Sequence, residues 1–302
     1  MQSRSSVIPS TRIEQFLDEH RLPRAFLDTV EAHYAPLARW LHDVRPRGRP
    51  MLLGINGAQG TGKSTLAEFL AMAADSLYDW RTAVLSIDDF YLTRAKRRAL
   101  AADVHPLLST RGVPGTHDTG LLSATLDALV HLAAKHTFEL PRFDKAEDDR
   151  AATADWPAVT GPVDVIILEG WCVGSSAQPD AALSEPVNEL ERDEDAAGTW
   201  RRFVNEKLAR DYTPIFERLD ALVFLAAPSF DAILAWRIEQ EHKLAKRLQG
   251  SGSAIMSDEE VARFIRFYER ITRHNLATLR GRADVVLDLA EDHSVAESAY
   301  SA

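Results

Sequence analysis

The sequence predicts an α/β fold in three layers, with helices on both faces of a central, mostly parallel sheet. Three observations carry this expectation. Short apolar runs suited to buried strands recur at 51–55, 83–87, 163–168, 221–226 and 283–287. Segments with apolar residues at helical spacing separate most of them, and such alternation implies βαβ units. A glycine-rich stretch, GINGAQGTGKSTL at 54–66, joins the first run to the helical pattern that follows it.

Taken in order, residues 1–48 are expected to form a helical extension packed on the core, and 49–302 the main domain. Within 10–44, Phe26, Val30, Tyr34, Leu37 and Leu41 recur at helical spacing, and Thr11 with Glu14 has the spacing of a capping box. RPRGRP at 45–50 reads as a connector. MLLGI at 51–55 is the first strand; Leu66, Ala67, Phe69, Leu70 and Ala73 mark a helix over 64–74. Further helices are expected at 118–135, 200–218, 229–248 and 258–279, the last opened by Ser257 with Glu260 three residues on. The polar, acidic, proline-containing segment 175–200 is expected to be a mobile loop with at most a short helical turn.

Composition narrows the function. With 302 residues and 45% hydrophobic content the chain can build a sizeable core. A formal net charge of −10, from 45 acidic against 35 basic residues, argues against a general nucleic-acid or anionic-membrane binder. Any anion must then be held by a local cluster. The single cysteine, Cys172, permits no intramolecular disulfide and reads as a small core hydrophobe in a reducing compartment. MQSRSSVIPSTRIEQF at the start lacks the apolar stretch of a secretory signal, so cytoplasm is the expected location.

From Gly57 the glycine-rich stretch fits G-x-x-x-x-G-K-[ST], the P-loop pattern, and the fold class becomes that of a P-loop NTPase. Gly57, Ala58, Gln59, Gly60, Thr61, Gly62, Lys63, Ser64 and Thr65 would wrap a polyphosphate, because a chain with few Cβ atoms can turn several N–H groups inward. The following helix adds its positive end, Lys63 can reach the terminal phosphates, and Ser64 can offer its hydroxyl oxygen to Mg²⁺.

Active sites of open parallel sheets lie beyond the carboxyl ends of the strands, so the residues after each run are the candidates for chemistry. SIDDFYLT at 86–93 supplies adjacent Asp88 and Asp89, suited to receive a hydroxyl proton or, alternatively, to cap a turn. Glu169 directly follows four apolar residues, where a magnesium-positioning carboxylate would sit. STRGVPGTHD offers Arg111, His117 and Asp118; LPRFDKAEDDR offers Arg142, Phe143, Asp144, Lys145 and Arg150. These can bind a small anion or serve as solvated loop charges. The helix near 229–252, with Arg237, Lys243, Lys246 and Arg247 close to GSGS, can act as a lid or present a charged solvent face with pairs such as Glu239–Lys243.

Together GAQGTGKST, SIDDFYLT, RGVPGTHD, LPRFDKAEDDR and LEGWCVG resemble the glycerate 3-kinase type of P-loop kinase, over roughly 50–290. That type belongs with the phosphoribulokinase, uridine kinase and pantothenate kinase group. The resemblance implies transfer of the γ-phosphate of ATP, with Mg²⁺, to a hydroxyl of D-glycerate or a related small polar metabolite. It also implies Asp88 as general base, Lys63 and Arg237 as catalytic cations, and Ser64 and Glu169 at the magnesium site. Asp89, Tyr91, Arg111, His117, Arg142, Phe143 and Asp144 fall on its acceptor side. One departure concerns the acceptor: where the plant proteins have a longer segment ending in Gly-Asp-Arg, this chain has Asp148-Asp149-Arg150. The competing readings are a regulatory NTPase and a nucleotide-binding pseudokinase. The first lacks a guanine signature, since NEKL at 205–208 does not fit N-K-x-D; intact Lys63, Ser64, Asp88 and Glu169 speak against the second.

Overall fold

A computed structural model describes residues 7–247 and 256–301. Its strands are β1 (Met51–Gly57), β2 (Thr82–Ser86), β3 (Thr137–Glu139), β4 (Phe143–Asp144), β5 (Asp149–Arg150), β6 (Ala158–Thr160), β7 (Val165–Gly170), β8 (Ala221–Ala226), β9 (Val285–Leu289) and β10 (Val295–Tyr300). The main sheet has the order β10-β9-β8-β1-β7-β2, parallel throughout except for β10 against β9. Two small antiparallel pairs, β3–β6 and β4–β5, stand apart from it.

β1, β7 and β8 are buried along their whole length, which is why their sequences are unbroken apolar runs rather than alternating ones. Their alternate side chains nevertheless divide between two cores. Leu52, Ile166, Leu168, Leu222 and Phe224 face a cluster with Leu122, Trp200, Tyr212 and Tyr268. Met51, Leu53, Ile55, Val165, Ile167 and Val223 face the other, with Phe16, Tyr34, Leu37, Phe69 and Ile233. The N-terminal helices thus share the core of the sheet's second face, with the Phe16 and Tyr34 rings 5.5 and 5.3 Å from Phe69.

Several expectations need correction. Thr11 and Glu14 make no capping box: the first helix begins at Ser10 after Pro9, with no side-chain cap. The Ser257–Glu260 box does form, both of its hydrogen bonds being present. The helix expected at 118–135 is Thr119–Val130, and 200–218 is divided into Thr199–Lys207, a π-helical turn Leu208–Tyr212 and Thr213–Phe216. The helix expected at 229–248 is Phe230–Arg247, and the GSGS segment lies outside the described residues. β10 has no counterpart among the expected strands, because an edge strand with mostly exposed side chains carries little apolar pattern.

Segment 175–200 differs most. It contains the helix Glu189–Glu194, capped by Asn188, and two of its acidic residues, Glu191 and Asp195, are buried while the others are exposed. Buried Glu191 meets Arg270 at 2.6 Å, and fully buried Asp195 meets Arg201 at 3.0 Å. Leu183 and Leu190 are buried beside them, so the segment is tied to the core where a mobile loop was expected. Charges that read as solvent-seeking are interior counterions here.

Candidate active site

β1 lies between β7 and β8, and β7 between β1 and β2, so the turns leaving β1, β2 and β7 converge at one edge of the sheet. β1 ends at Gly57, where a Cβ would collide with the Thr61 hydroxyl and crowd Leu225. Thr61 in turn donates its hydroxyl to the Ala58 carbonyl at 2.9 Å, closing the loop on itself. Gly62 is the N-cap of the helix Lys63–Tyr78, at φ +82° in the left-handed region that glycine enters without strain. Gly60, Gly62 and Ser64 are exposed, so the cradle of main-chain amides stands open. Gln59 and Thr65 are half-buried at its sides, the Gln59 Oε1 without a partner.

Ser64 donates its hydroxyl to Glu169 Oε1 at 3.0 Å. Glu169 is 4% exposed, and its Oε2 is buried with no partner, although buried carboxylate oxygens are normally satisfied. A hydroxyl beside a carboxylate with an unused oxygen suits a hydrated divalent cation. Among the described residues no group of three or more His, Cys, Asp or Glu is assembled to hold a metal.

A 3₁₀ turn, Ile87–Phe90, follows β2 and sends the two neighbouring carboxylates different ways. Asp88 accepts the Tyr91 hydroxyl at 2.8 Å and pairs with Lys145 at 2.8 Å. Burial opposes its charge, but Lys145, Lys63 and the Tyr91 hydroxyl outweigh burial and bring its pKa to about 2. Asp89 instead accepts the Phe143 amide at 3.2 Å and meets Arg142 at 3.2 Å. Burial, with Asp88 adding, pushes the Asp89 pKa up against the pull of Arg142 and that amide. Asp88 is therefore the carboxylate in the field of the P-loop lysine, and Asp89 anchors the chain entering β4.

Behind Asp88 lies an aromatic stack. Tyr91 is buried, its ring 4.5 Å from that of His117, so it supports Asp88 from within the protein. His117 is buried too, with Nδ1 at 2.7 Å from the Tyr212 hydroxyl. That hydroxyl also accepts the Gly115 amide at 2.9 Å. The other ring nitrogen, Nε2, is buried without a partner. Burial lowers the His117 pKa to about 4, with Asp88 opposing, and the ring is neutral at neutral pH.

Of the remaining acceptor-side residues, Phe143 is buried with Tyr91 edge-on at 5.3 Å and the Arg97 and Arg111 guanidiniums 5.7 and 5.6 Å from its ring centre. Arg111 pairs with Asp148. Asp144 is not brought to this cluster: it is exposed and accepts the Ala146 and Glu147 amides at 2.8 and 3.1 Å, forming the turn between β4 and β5. Arg237 pairs within its own helix with buried Glu241 at 2.7 Å, and Glu241 also accepts the Met256 amide at 3.0 Å. Lys243 pairs with Glu239 at 2.6 Å on the exposed face, as the alternative to a lid expects. Cys172 is fully buried and its thiol pKa is pushed up by burial, in keeping with a core residue.

Sequence reasoning missed several residues of the site. Lys145 belonged to a flagged stretch, but nothing local ties it to Asp88. Tyr212, Arg97 and Asp148 gave no local signal of their contacts. His293, whose Nδ1 lies 3.2 Å from the Gly60 carbonyl and whose ring stacks 4.4 Å from Trp236, adjoins the P-loop from the β9–β10 turn.

No protein-family profile matches this chain. Individual proteins do. The chain is 37% identical over 231 residues to the uncharacterized kinase mug58 of Schizosaccharomyces pombe, covering 74% of this chain and 80% of that one. It is 32% identical over 241 residues to the chloroplastic D-glycerate 3-kinase of Arabidopsis thaliana, a match to 76% of this chain but 48% of the plant protein, about half its length. Among solved structures, the D-glycerate 3-kinase of Cryptococcus neoformans superposes with a TM-score of 0.74 at 25% identity, over 89% of this chain and 99% of that one. With likeness this extensive in both sequence and fold, the chain belongs to the glycerate 3-kinase type of P-loop kinases, phosphotransferases that use ATP.

Proposed function

We propose that this protein transfers the γ-phosphate of ATP, with Mg²⁺, to a hydroxyl of D-glycerate or a closely related hydroxy acid. The observation that carries the reading is Asp88: an ionised carboxylate at a strand end, in the field of Lys63 and fixed by Tyr91. The open P-loop amides and Lys63 would spread the charge of the β- and γ-phosphates, and Ser64 and Glu169 would hold Mg²⁺. Mg²⁺ supplies charge neutralisation on the phosphoryl oxygens.

Paired with Lys145, Asp88 is a weak base, because a pKa of about 2 leaves little driving force to take a hydroxyl proton. An acceptor hydroxyl that displaces Lys145 from Asp88 Oδ2 would change that. Burial then dominates and raises the basicity of the carboxylate just as the hydroxyl arrives. Arg111 would take the acceptor's carboxylate.

The test is a panel of hydroxy acids, sugars and nucleosides offered to the purified protein with Mg-ATP, with phosphorylated products identified by mass spectrometry. Phosphoglycerate, or the phosphate ester of a near relative, is expected. ATP consumption without any phosphorylated acceptor would reject the reading.

A further inference from the structure

The hairpin β4–β5 carries an unusual counterion. Asp148 has φ +53°, in the left-handed region that costs a side-chain-bearing residue about 1 kcal/mol or more. Its carboxylate bridges two guanidiniums. Arg97 Nη2 donates to Asp148 Oδ2 at 2.7 Å and to the Asp148 carbonyl at 2.9 Å, while Arg111 pairs with Oδ1.

Arg97 is fully buried, and its Nε and Nη1 have no partner. Arg111 and Asp148 have side chains 30% and 35% exposed. Two cations therefore share one carboxylate, and the accessible member of the pair is Arg111. Elsewhere in the cluster Lys145 and Arg142 each have their own carboxylate, Asp88 and Asp89. Arg150 has Asp118, which the 60% exposed Lys96 also approaches at 3.7 Å from the solvent side. Around this hairpin, the guanidinium pair left with a single carboxylate is Arg97 and Arg111.

We propose that Asp148 determines specificity by setting the charge of the acceptor: it neutralises one of the two guanidiniums, so that Arg111 receives a substrate with one negative group and discriminates against one with two. This rests on the hydroxy-acid reading for the nature of the acceptor and adds the residue that sets its charge. The backbone strain at Asp148 is offset by the two charge-assisted contacts its carboxylate makes. Glycine would hold the same backbone without that carboxylate and would leave both cations to the ligand.

The experiment is calorimetric titration of the full chain with D-glycerate and with malonate, in the presence of Mg-ADP near neutral pH. These two acids are close in size and differ by one negative charge. The wild-type protein is expected to favour D-glycerate. Asp148→Asn and Asp148→Gly are each expected to shift the ratio of dissociation constants towards malonate by about 10-fold, the effect of one partly screened charge at close range. The glycine variant guards against a folding defect, since it suits the left-handed backbone. Arg111→Ala in the Asp148→Asn background should abolish the shift. An unchanged ratio in both Asp148 variants overturns the proposal. Turnover of hydroxy acids with an unchanged ratio leaves the kinase reading standing and this one fallen. A shifted ratio with no hydroxy acid phosphorylated does the reverse, and binding of neither acid to any form overturns both.

Discussion

The P-loop and the β4–β5 hairpin both border Asp88, yet they meet negative charge in opposite ways. In the P-loop, Lys63 has no ion-pair partner among the described residues, and the glycines on either side of the turn are exposed. In the hairpin and its surroundings, Lys145, Arg142, Arg150 and Arg111 are all engaged with carboxylates of the protein itself. The first region is made ready by its main chain; the second is already occupied by its own side chains. A ligand at the loop would break no ion pair of Lys63, whereas an anion at the hairpin would have to exchange for one of the protein's own carboxylates. On the function proposed above, this would make the hairpin the place where acceptor identity is decided.

Substitutions on either side test that contrast. The largest effect is expected from Asp88→Asn, which should lower phosphotransfer by at least ~100-fold while ATP binding, measured by titration, stays nearly normal. Retained transfer in that variant would move the base to Asp89 or remove it from the mechanism. Glu169→Gln should raise the Mg²⁺ concentration needed for half-maximal activity by about 10-fold or more, since it removes the charge of the carboxylate that accepts the Ser64 hydroxyl. An unaltered magnesium dependence would detach Glu169 from the metal.

Lys145→Met tests the hairpin's hold on Asp88 through pH. The folded-state pKa of Asp88 is depressed to about 2 from an ordinary 3.8, so its contribution to stability is complete above the unfolded value and is lost as pH falls through the folded one. Without Lys145, burial is the leading influence and the Asp88 pKa rises. The acid limb of the kcat/KM profile should then move to higher pH, with a change of only a few-fold at neutral pH. A limb that stays in place would show that Lys145 does not govern Asp88. The smallest effect is expected at Gly62→Ala, where φ is +82° and nothing lies within 4 Å of a built Cβ. Strain alone should cost about 1–2 kcal/mol in urea unfolding, with no added steric term.

Much of this was legible in one dimension. The P-loop is a contiguous segment whose glycines, lysine and serine act through local backbone geometry, and β1, β7 and β8 are buried on both faces, which leaves plain apolar runs. The carboxylates at the ends of β2 and β7 were legible because chain direction in a parallel sheet fixes which ends carry chemistry. Segment 175–200 misled for a definite reason: an acidic, proline-containing stretch reads as solvated unless its cations are known. Those cations, Arg201 and Arg270, come from other helices. Asp144 misled similarly, since a carboxylate two residues before a free amide is as ready to make a turn as to bind a ligand.

Chain order alone implies the P-loop, the parallel α/β sheet and the set of strand-end carboxylates, because each follows from short-range periodicity or from backbone conformations only certain residues adopt. What the tertiary structure decided is the division of labour among those groups. Ser64 meets Glu169 across 105 positions, His117 meets Tyr212 across 95, and Arg97 meets Asp148 across 51. Charge and hydrogen bonding act through space at a few ångströms, so a carboxylate's basicity, a histidine's charge and a pocket's net charge are properties of neighbours that chain order does not reveal.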